Sequence, residues 1–278
     1  MIEQAEKRKR GRPRSAMANA GPSPVQALDR GLTILQALAG QQGAALSDLA
    51  RQVAMPPSTA HRFLATLQTH GFVDFDAHTQ LWSIGIGAFR VGNTYLRRTN
   101  LVEAAQAPMR RLMEVTGETA NLGIADQGFI VFISQTETQN PIRAMFRAGA
   151  RSQMHASGIG KAMLAHMPRA EVEALIKANG LPAFTPQTFS QPEALFADLE
   201  AIAARGWAYD NEERYMGMRC IASAVFDGQG APVAGLSVSG PSARFTDEKI
   251  AETGRIVKEA AAQLTVITAG KSEVGLPA

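Results

Sequence analysis

Residues 46–53 read Leu46-Ser47-Asp48-Leu49-Ala50-Arg51-Gln52-Val53, the chain then breaks at Met55-Pro56-Pro57, and residues 58–68 read Ser58-Thr59-Ala60-His61-Arg62-Phe63-Leu64-Ala65-Thr66-Leu67-Gln68. The first stretch sets Leu49, Ala50 and Val53 on the inner side of a short helix. Ser47 stands where its oxygen would accept a free N–H at the helix start. The prolines interrupt the helix because they lack an N–H and push the preceding residue toward extended backbone. A second helix restarts at Ser58, with Ala60, Phe63, Leu64 and Leu67 as its inward stripe. Two short helices joined by a tight turn predict a helix-turn-helix. In that motif the second helix enters the major groove of DNA with its N-terminal residues on base edges. Ser58, Thr59, His61 and Arg62 are therefore the candidate readers, with Ser47 beside them. An arginine forks onto guanine, and hydroxyls reach phosphates or bases.

On the N-terminal side, Leu28, Leu32, Leu35 and Leu38 recur at helical spacing and define an apolar face that ends at Gly40 and Gly43. On the C-terminal side, Phe72-Val73-Asp74-Phe75 and Gln80-Leu81-Trp82-Ser83-Ile84 flank the polar turn Asp76-Ala77-His78-Thr79, which predicts a β-hairpin wing. Before all of this comes a basic arm. Residues 1–20 hold six Lys or Arg against two Glu, whereas residues 21–84 hold three Arg against four Asp. Most of the net charge of +3 thus sits in the arm. Its core, Arg10-Gly11-Arg12-Pro13-Arg14, resembles an AT-hook. Pro13 favours an extended backbone, Gly11 permits close approach, and arginines suit the narrow, negative minor groove of A/T-rich DNA. The arm is expected to supply most of the phosphate attraction, since that term scales with the charges neutralised.

The chain has 278 residues, 45% hydrophobic and 19% charged, which is ordinary globular composition with room for about two domains. No apolar run reaches the ~18 residues of a membrane span, and no apolar segment follows the basic N-terminus as in a signal peptide. The single cysteine, Cys220, excludes an internal disulfide and agrees with a reducing cytoplasm. The chain is expected to divide into a basic arm over 1–23, a winged helix-turn-helix over 24–84, a linker helix over 85–100, a larger domain over 101–270 and a tail over 271–278.

The larger half reads as helix near Ile86–Leu96, helix from Leu101 to Thr116-Gly117, and strands at Glu118–Ile124 and Phe129–Gln135, with a third at Ile142–Met145. A helix opens at Ser157, and further helices fit Glu171–Ala178 and Pro192–Arg205. Strands return at Met218–Phe226 and Val233–Ser239. A terminal helix runs from Thr246 to Thr268, with Ile250, Ile256, Val257, Ala260, Leu264 and Ile267 inward. Helices flanking an antiparallel sheet make this an α+β fold. Alternation along Val233–Ser239 sends Leu236 and Val238 one way and Gly235, Ser237 and Ser239 the other. Cys220, Ala222 and Ala224 share a face of the neighbouring segment. Side chains this small leave room for a cavity. The helix start at Ser157-Gly158-Ile159-Gly160 offers free N–H groups and a positive dipole end suited to a carboxylate, and Asp210 stands ready to accept from a ligand hydroxyl. Ile142, Met145, Phe146, Met154 and Ile159 are candidates to cap the cavity.

Together these motifs resemble the IclR family of bacterial transcription regulators, over about residues 24 to 270. The stretches that carry the likeness are Ala27-Leu28-Asp29-Arg30-Gly31-Leu32-Thr33-Ile34-Leu35, Leu46-Ser47-Asp48-Leu49-Ala50, Pro57-Ser58-Thr59-Ala60-His61-Arg62-Phe63-Leu64, His155-Ala156-Ser157-Gly158-Ile159-Gly160-Lys161-Ala162, Arg205-Gly206-Trp207-Ala208 and Cys220-Ile221-Ala222-Ser223-Ala224-Val225-Phe226. The resemblance implies a GAF-like effector domain, a homodimer or homotetramer, and operator binding controlled by a small organic acid. In glyoxylate-sensing members the effector meets a helix-start glycine and its neighbour, an Asp, a Cys and two Ser of one strand. The matching positions are Gly158, Ile159, Asp210, Cys220, Ser237 and Ser239, which implies glyoxylate as effector and carbon-assimilation genes as targets. Ile159 departs from the smaller residue of some relatives, which tightens the pocket and spares a main-chain contact. Pyruvate, a longer keto acid or an aromatic acid fits the same small-residue face. A Cys220–His155–Asp210 enzyme or metal site is the remaining alternative, but nothing in the sequence activates the thiol, and no close Cys/His pair exists. The chain is expected to be no enzyme and to carry no cofactor.

Overall fold

In a computed structural model the described residues are 25–269, so Arg10, Arg12, Arg14 and the rest of the arm, like the tail, lie outside them. The chain forms two compact units that divide between Tyr95 and Leu96, within helix α4 (Ile86–Thr99). In the first unit, helices α1 (Gln26–Ala39), α2 (Leu46–Gln52) and α3 (Pro57–Thr69) precede an antiparallel hairpin of β1 (Val73–Asp76) and β2 (Leu81–Ile84). Ile34, Leu38, Leu49, Leu64, Val73 and Trp82 form its core.

Three local expectations are corrected. Helix α2 begins at Leu46 after an extended Ala45, so Ser47 lies inside the first turn, exposed and capping nothing. The cause is the neighbouring backbone: Ala44 and Trp82 exchange N–H···O bonds of 2.9 Å, which pins residue 44 to β2 and forces the helix to start at once. Helix α3 begins at Pro57, not Ser58, because a proline ring presets the φ of the first helical residue. On α1 the buried residues are Ile34 and Leu38, while Leu28 and Leu32 are 63% and 48% exposed.

The second unit is built on a six-stranded antiparallel sheet of β3 (Thr119–Asp126), β4 (Phe129–Thr136), β5 (Arg151–Gln153), β6 (Ala208–Asn211), β7 (Met218–Phe226) and β8 (Pro232–Pro241), in the order β5-β4-β3-β8-β7-β6. Helices α5 (Leu101–Thr116) and α9 (Asp247–Ala269) cover one face, packing Leu112, Val257 and Leu264 against Leu122, Leu236 and Val238. The other face meets α6 (Gly158–Leu164), α7 (Arg169–Asn179) and α8 (Pro192–Arg205), with Ile159, Val172 and Leu195 over Ile130, Phe132 and Ala222. Strands β5 and β6 escape sequence reading because three or four residues carry too little alternation to register. The expected strand Ile142–Met145 is irregular backbone: Ile142 and Met145 are 72% and 62% exposed and have no face to bury. Ile267, expected inward, is exposed near the end of α9, where the sheet beneath has ended. Among the described residues no helix is long and apolar enough to cross a membrane.

Helix α9 packs tightly on Trp207 at Gly254, where an added methyl carbon would lie 2.4 Å from the indole. Gly254→Ala should therefore destabilise the second unit by about 1–2 kcal/mol, overpacking outweighing the gain in helix propensity. Urea unfolding followed by circular dichroism measures it, and an unchanged or higher midpoint would show that Trp207 yields freely.

Candidate functional site

The register of the sheet builds the site. Cys220 pairs with Ser239 and Ala222 with Ser237 across β7 and β8, Asp210 of β6 pairs with Cys220, and Asn121 of β3 pairs with Ser237. Opposed residues share a face, so Asp210, Cys220 and Ser239 form one row and Ala222, Ser237 and Asn121 the next. Gly158 and Ile159, at the start of α6, sit above these rows. All six positions singled out in the sequence, Gly158, Ile159, Asp210, Cys220, Ser237 and Ser239, line a single cavity with about 390 Å³ of empty space, part of it open to solvent.

Each element contributes for a local reason. Ser157 caps α6, its hydroxyl accepting the Gly160 N–H, which leaves the N–H groups of Gly158 and Ile159 without an intrahelical carbonyl. Glycine is required at 158 because a Cβ there would come within 2.8 Å of the Cys220 sulfur. The bulk of Ile159 is taken up by the sheet: a Cβ at Gly235 would lie 2.6 Å from its Cγ2, and one at Gly123 3.3 Å from its Cδ1. Gly123 and Gly235 are register partners, so two facing glycines make the hollow that receives the isoleucine. The departure at 159 is thus accommodated by the strands rather than wholly by the cavity.

Asn121 escapes sequence reading, yet it organises the floor. Its Nδ2 lies 3.4 Å from Ser237 Oγ and 3.3 Å from Ser239 Oγ, and Gln135 Nε2 donates to its Oδ1 at 2.8 Å. Both serines are buried. The signal available is an Asn inside an otherwise apolar strand, which needs partners it can find only across the sheet. Phe132, Phe146, Arg214 and Tyr215 also stand on the cavity wall, and of these only Phe146 is expected from the sequence, as a cap. Of the other expected caps only Ile159 lines the cavity. Ile142 and Met145 are solvent-exposed, and Met154 faces a separate cavity with His155.

Behind the wall lies a buried charge cluster. Lys161 Nζ donates to Asp198 Oδ2 (2.7 Å), Glu213 Oε1 (2.5 Å) and the Tyr209 carbonyl (2.8 Å). Asp210 Oδ1 accepts the Glu213 N–H at 2.8 Å. Burial pushes the Asp210 carboxyl up to about 6, against the pull of that bond and of Lys161. Burial likewise pushes the Cys220 thiol up to about 12, with the Asp210 charge adding to it. A thiol so far from ionisation is no nucleophile at neutral pH. His155 cannot serve it: its Nε2 sits 3.1 Å from the Pro182 carbonyl, its ring stacks on Phe184, and it faces the other cavity. Serine hydroxyls, two main-chain donors and a carboxyl face one cavity, which is the chemistry a small polar molecule needs to be held.

In the first unit, Ser58, His61 and Arg62 are exposed on α3 and Thr59 is half-buried. The His61 ring meets Trp82 of the hairpin edge-on at 6.2 Å, so helix and wing are in contact at the candidate reading surface. Arg62 forms no ion pair among the described residues, whereas Arg51 is paired with Asp48 at 3.2 Å.

Comparison with known proteins agrees on both units. The family description "IclR helix-turn-helix domain" matches residues 27–77, and "Bacterial transcriptional regulator IclR C-terminal" matches residues 93–266. The chain is 46% identical over 271 residues to the HTH-type transcriptional regulator BhcR of Paracoccus denitrificans, covering 96% of this chain and 97% of that one. It is 38% identical over 265 residues to the acetate operon repressor of Salmonella typhimurium, covering 94% and 97%. Among solved structures, the IclR protein of Thermotoga maritima superposes with a TM-score of 0.71 at 31% identity, over 88% of this chain and all of that one.

The raised Asp210 carboxyl makes a pH prediction. Below about pH 4 the group is protonated folded and unfolded alike. Between about 4 and 6 the folded protein keeps a proton that the unfolded chain releases, so stability falls as pH rises. Asp210→Asn keeps an acceptor for the Glu213 N–H and removes the charge. Its stability relative to the unmodified chain should therefore increase between pH 4 and 7, by on the order of 2 kcal/mol. Urea midpoints across that range test this, and a pH-independent difference would contradict it.

Proposed function

The chain belongs to the IclR family of bacterial transcriptional regulators, and on that premise we propose that its operator binding is switched by a small carboxylate, glyoxylate, held in the cavity between α6 and strands β6, β7 and β8. Membership itself makes it a DNA-binding transcriptional regulator of the IclR type, and its relatives are regulators rather than enzymes. The observation that carries the effector reading is the convergence of Gly158, Ile159, Asp210, Cys220, Ser237 and Ser239 on one cavity from four elements. Main-chain N–H groups at a helix start donate to a carboxylate. Paired hydroxyls from Ser237 and Ser239 and the Asp210 carboxyl suit an aldehyde oxygen or its hydrate. One similar protein is named for an acetate operon, which fits control of two-carbon assimilation.

On the DNA side, Ser58, Thr59, His61 and Arg62 read the operator from α3, with Ser47 on the neighbouring helix and a homodimer matching paired half-sites. A homotetramer follows if two such dimers share one effector response. Arg10, Arg12 and Arg14 enter an adjacent minor groove in the manner of an AT-hook. The protein acts in the cytoplasm, where DNA and effector meet.

Calorimetric titration with glyoxylate, pyruvate and glycolate tests the effector, together with gel shifts on DNA upstream of the gene and its neighbours. Glyoxylate should bind most tightly and change the fraction of DNA shifted. A clear response to another acid with none to glyoxylate rejects the assignment. Deleting residues 1–20 should weaken binding to every DNA sequence and flatten the salt dependence by roughly one unit of slope for each phosphate no longer neutralised. Unchanged affinity and slope would show that the arm neutralises none.

A further inference from the structure

Among the described residues that line this cavity, Arg214 is the one cation, and it forms no ion pair. It follows Asp210, Glu212 and Glu213 within four positions, yet each acid is engaged elsewhere. Asp210 takes the Glu213 N–H, Glu213 takes Lys161, and Glu212 takes the Gly217 N–H at 2.6 Å with Arg219 4.0 Å away. Among the described residues no carboxylate lies within ion-pairing distance of the Arg214 guanidinium, and its buried Nε has no hydrogen-bond partner. A buried donor left unmatched loses its bonds to water and gains nothing in return, and on a cavity wall it is within reach of a partner that arrives from outside.

The position is also held in place. Thr185 Oγ1 donates to the Glu212 carbonyl at 2.7 Å and Thr188 Oγ1 to the Glu213 carbonyl at 2.6 Å, which fixes the strand exit against the 184–188 loop. The same loop presents Phe184, whose ring lies 3.7 Å below the guanidinium carbon, and Tyr215 adds a second ring at 5.4 Å. Glu212 has a left-handed backbone (φ 64°), unusual for a residue with a side chain and common where geometry serves a site. The turn it makes directs residue 214 to the cavity that Gly158, Cys220 and Ser239 line. Stacking on rings holds the cation while leaving its N–H groups free.

The geometry points to Arg214 as the residue that reads the effector's negative charge, pairing its guanidinium with a carboxylate whose other end lies toward Ser237 and Ser239. This deepens the proposed function and rests on it. Lys161, on the same helix as Gly158 and Ile159, has all three N–H bonds committed to Asp198, Glu213 and Tyr209. An entering anion also meets the Asp210 carboxyl, and a cation in the same lining offsets that repulsion. Under this assignment Arg214 adds its charge to the α6 N–H groups that hold the carboxylate and so decides acid over neutral, while the serines select size and shape.

The test compares the full-length protein with Arg214→Gln and Arg214→Lys, by thermal shift and calorimetry at constant ionic strength. The probes are two sets: formate, acetate, glyoxylate and pyruvate as sodium salts, and the uncharged formamide, acetamide, glyoxylamide and pyruvamide. The unmodified protein should bind the acids in preference to the amides. Arg214→Gln should lose about ten- to hundredfold in affinity for the acids, the scale of one charge-assisted hydrogen-bonded pair, and change less than about twofold for the amides. Arg214→Lys should fall between, keeping charge and losing the fork. Circular dichroism and the urea midpoint check that both variants fold. If Arg214→Gln binds the acids as tightly as the unmodified protein, or loses acids and amides by one factor, the inference is overturned while the carboxylate site survives. If the unmodified protein binds none of the acids, both this inference and the proposed function fail, since an unpaired cation on the wall must capture a small carboxylate.

Discussion

A lysine ammonium with no exposure to solvent is the constraint on which the effector unit turns. An isolated buried charge is far too costly to persist, and it is tolerated only with ionic and hydrogen-bonding partners on every side. Lys161 finds them in three separate places: Asp198 on α8, the Tyr209 carbonyl on β6, and Glu213 after β6. Because Lys161 lies on the same short helix as Gly158 and Ile159, these bonds fix where the start of α6 stands relative to the sheet edge. They also fix the chain just beyond Asp210, which turns back at Glu212 and Glu213. The cavity is the space left between two parts that Lys161 ties together.

What fills the remaining surfaces follows from side-chain volume. Gly158 rests on Cys220 and Ala222, and Ile159 on Gly123 and Gly235. Positions with little or no side chain let the helix lie close to the strands, and the polar ends of Ser237, Ser239 and Asn121 remain at the floor. The raised carboxyl of Asp210 and the inert thiol of Cys220 have one cause, removal from water beside a cluster that already holds its own counter-charges. The site is electrostatically tense rather than reactive, which is the property of a receptor.

The two units are not equally legible. The helix-turn-helix follows from local rules: a proline break, two short apolar stripes and a hairpin turn. The departures there are shifts of a residue, such as Ser47, which fits a cap until the pairing of Ala44 with Trp82 sets the helix start one position earlier. In the sensor, Met218–Phe226 and Pro192–Arg205 are legible with their observed boundaries, because long alternation and proline-to-glycine punctuation are strong signals. Strands β5 and β6 and the irregular 142–145 segment are not, since three or four residues without a hairpin turn between them cannot announce which face they bury.

By itself the sequence determined the helix-turn-helix and its hairpin, the faces of β7 and β8, the family, and the six positions that come together around one cavity, because period and motif are local or inherited properties. Only the tertiary structure decided that Asn121 lies beneath both serines, that Glu213 and Asp198 are committed to Lys161, and that Arg214 keeps a cation without a charged partner among the described residues. Those are statements about distance between residues from 37 to 118 positions apart, or about a bond that fails to form, and neither is written in any window of the chain.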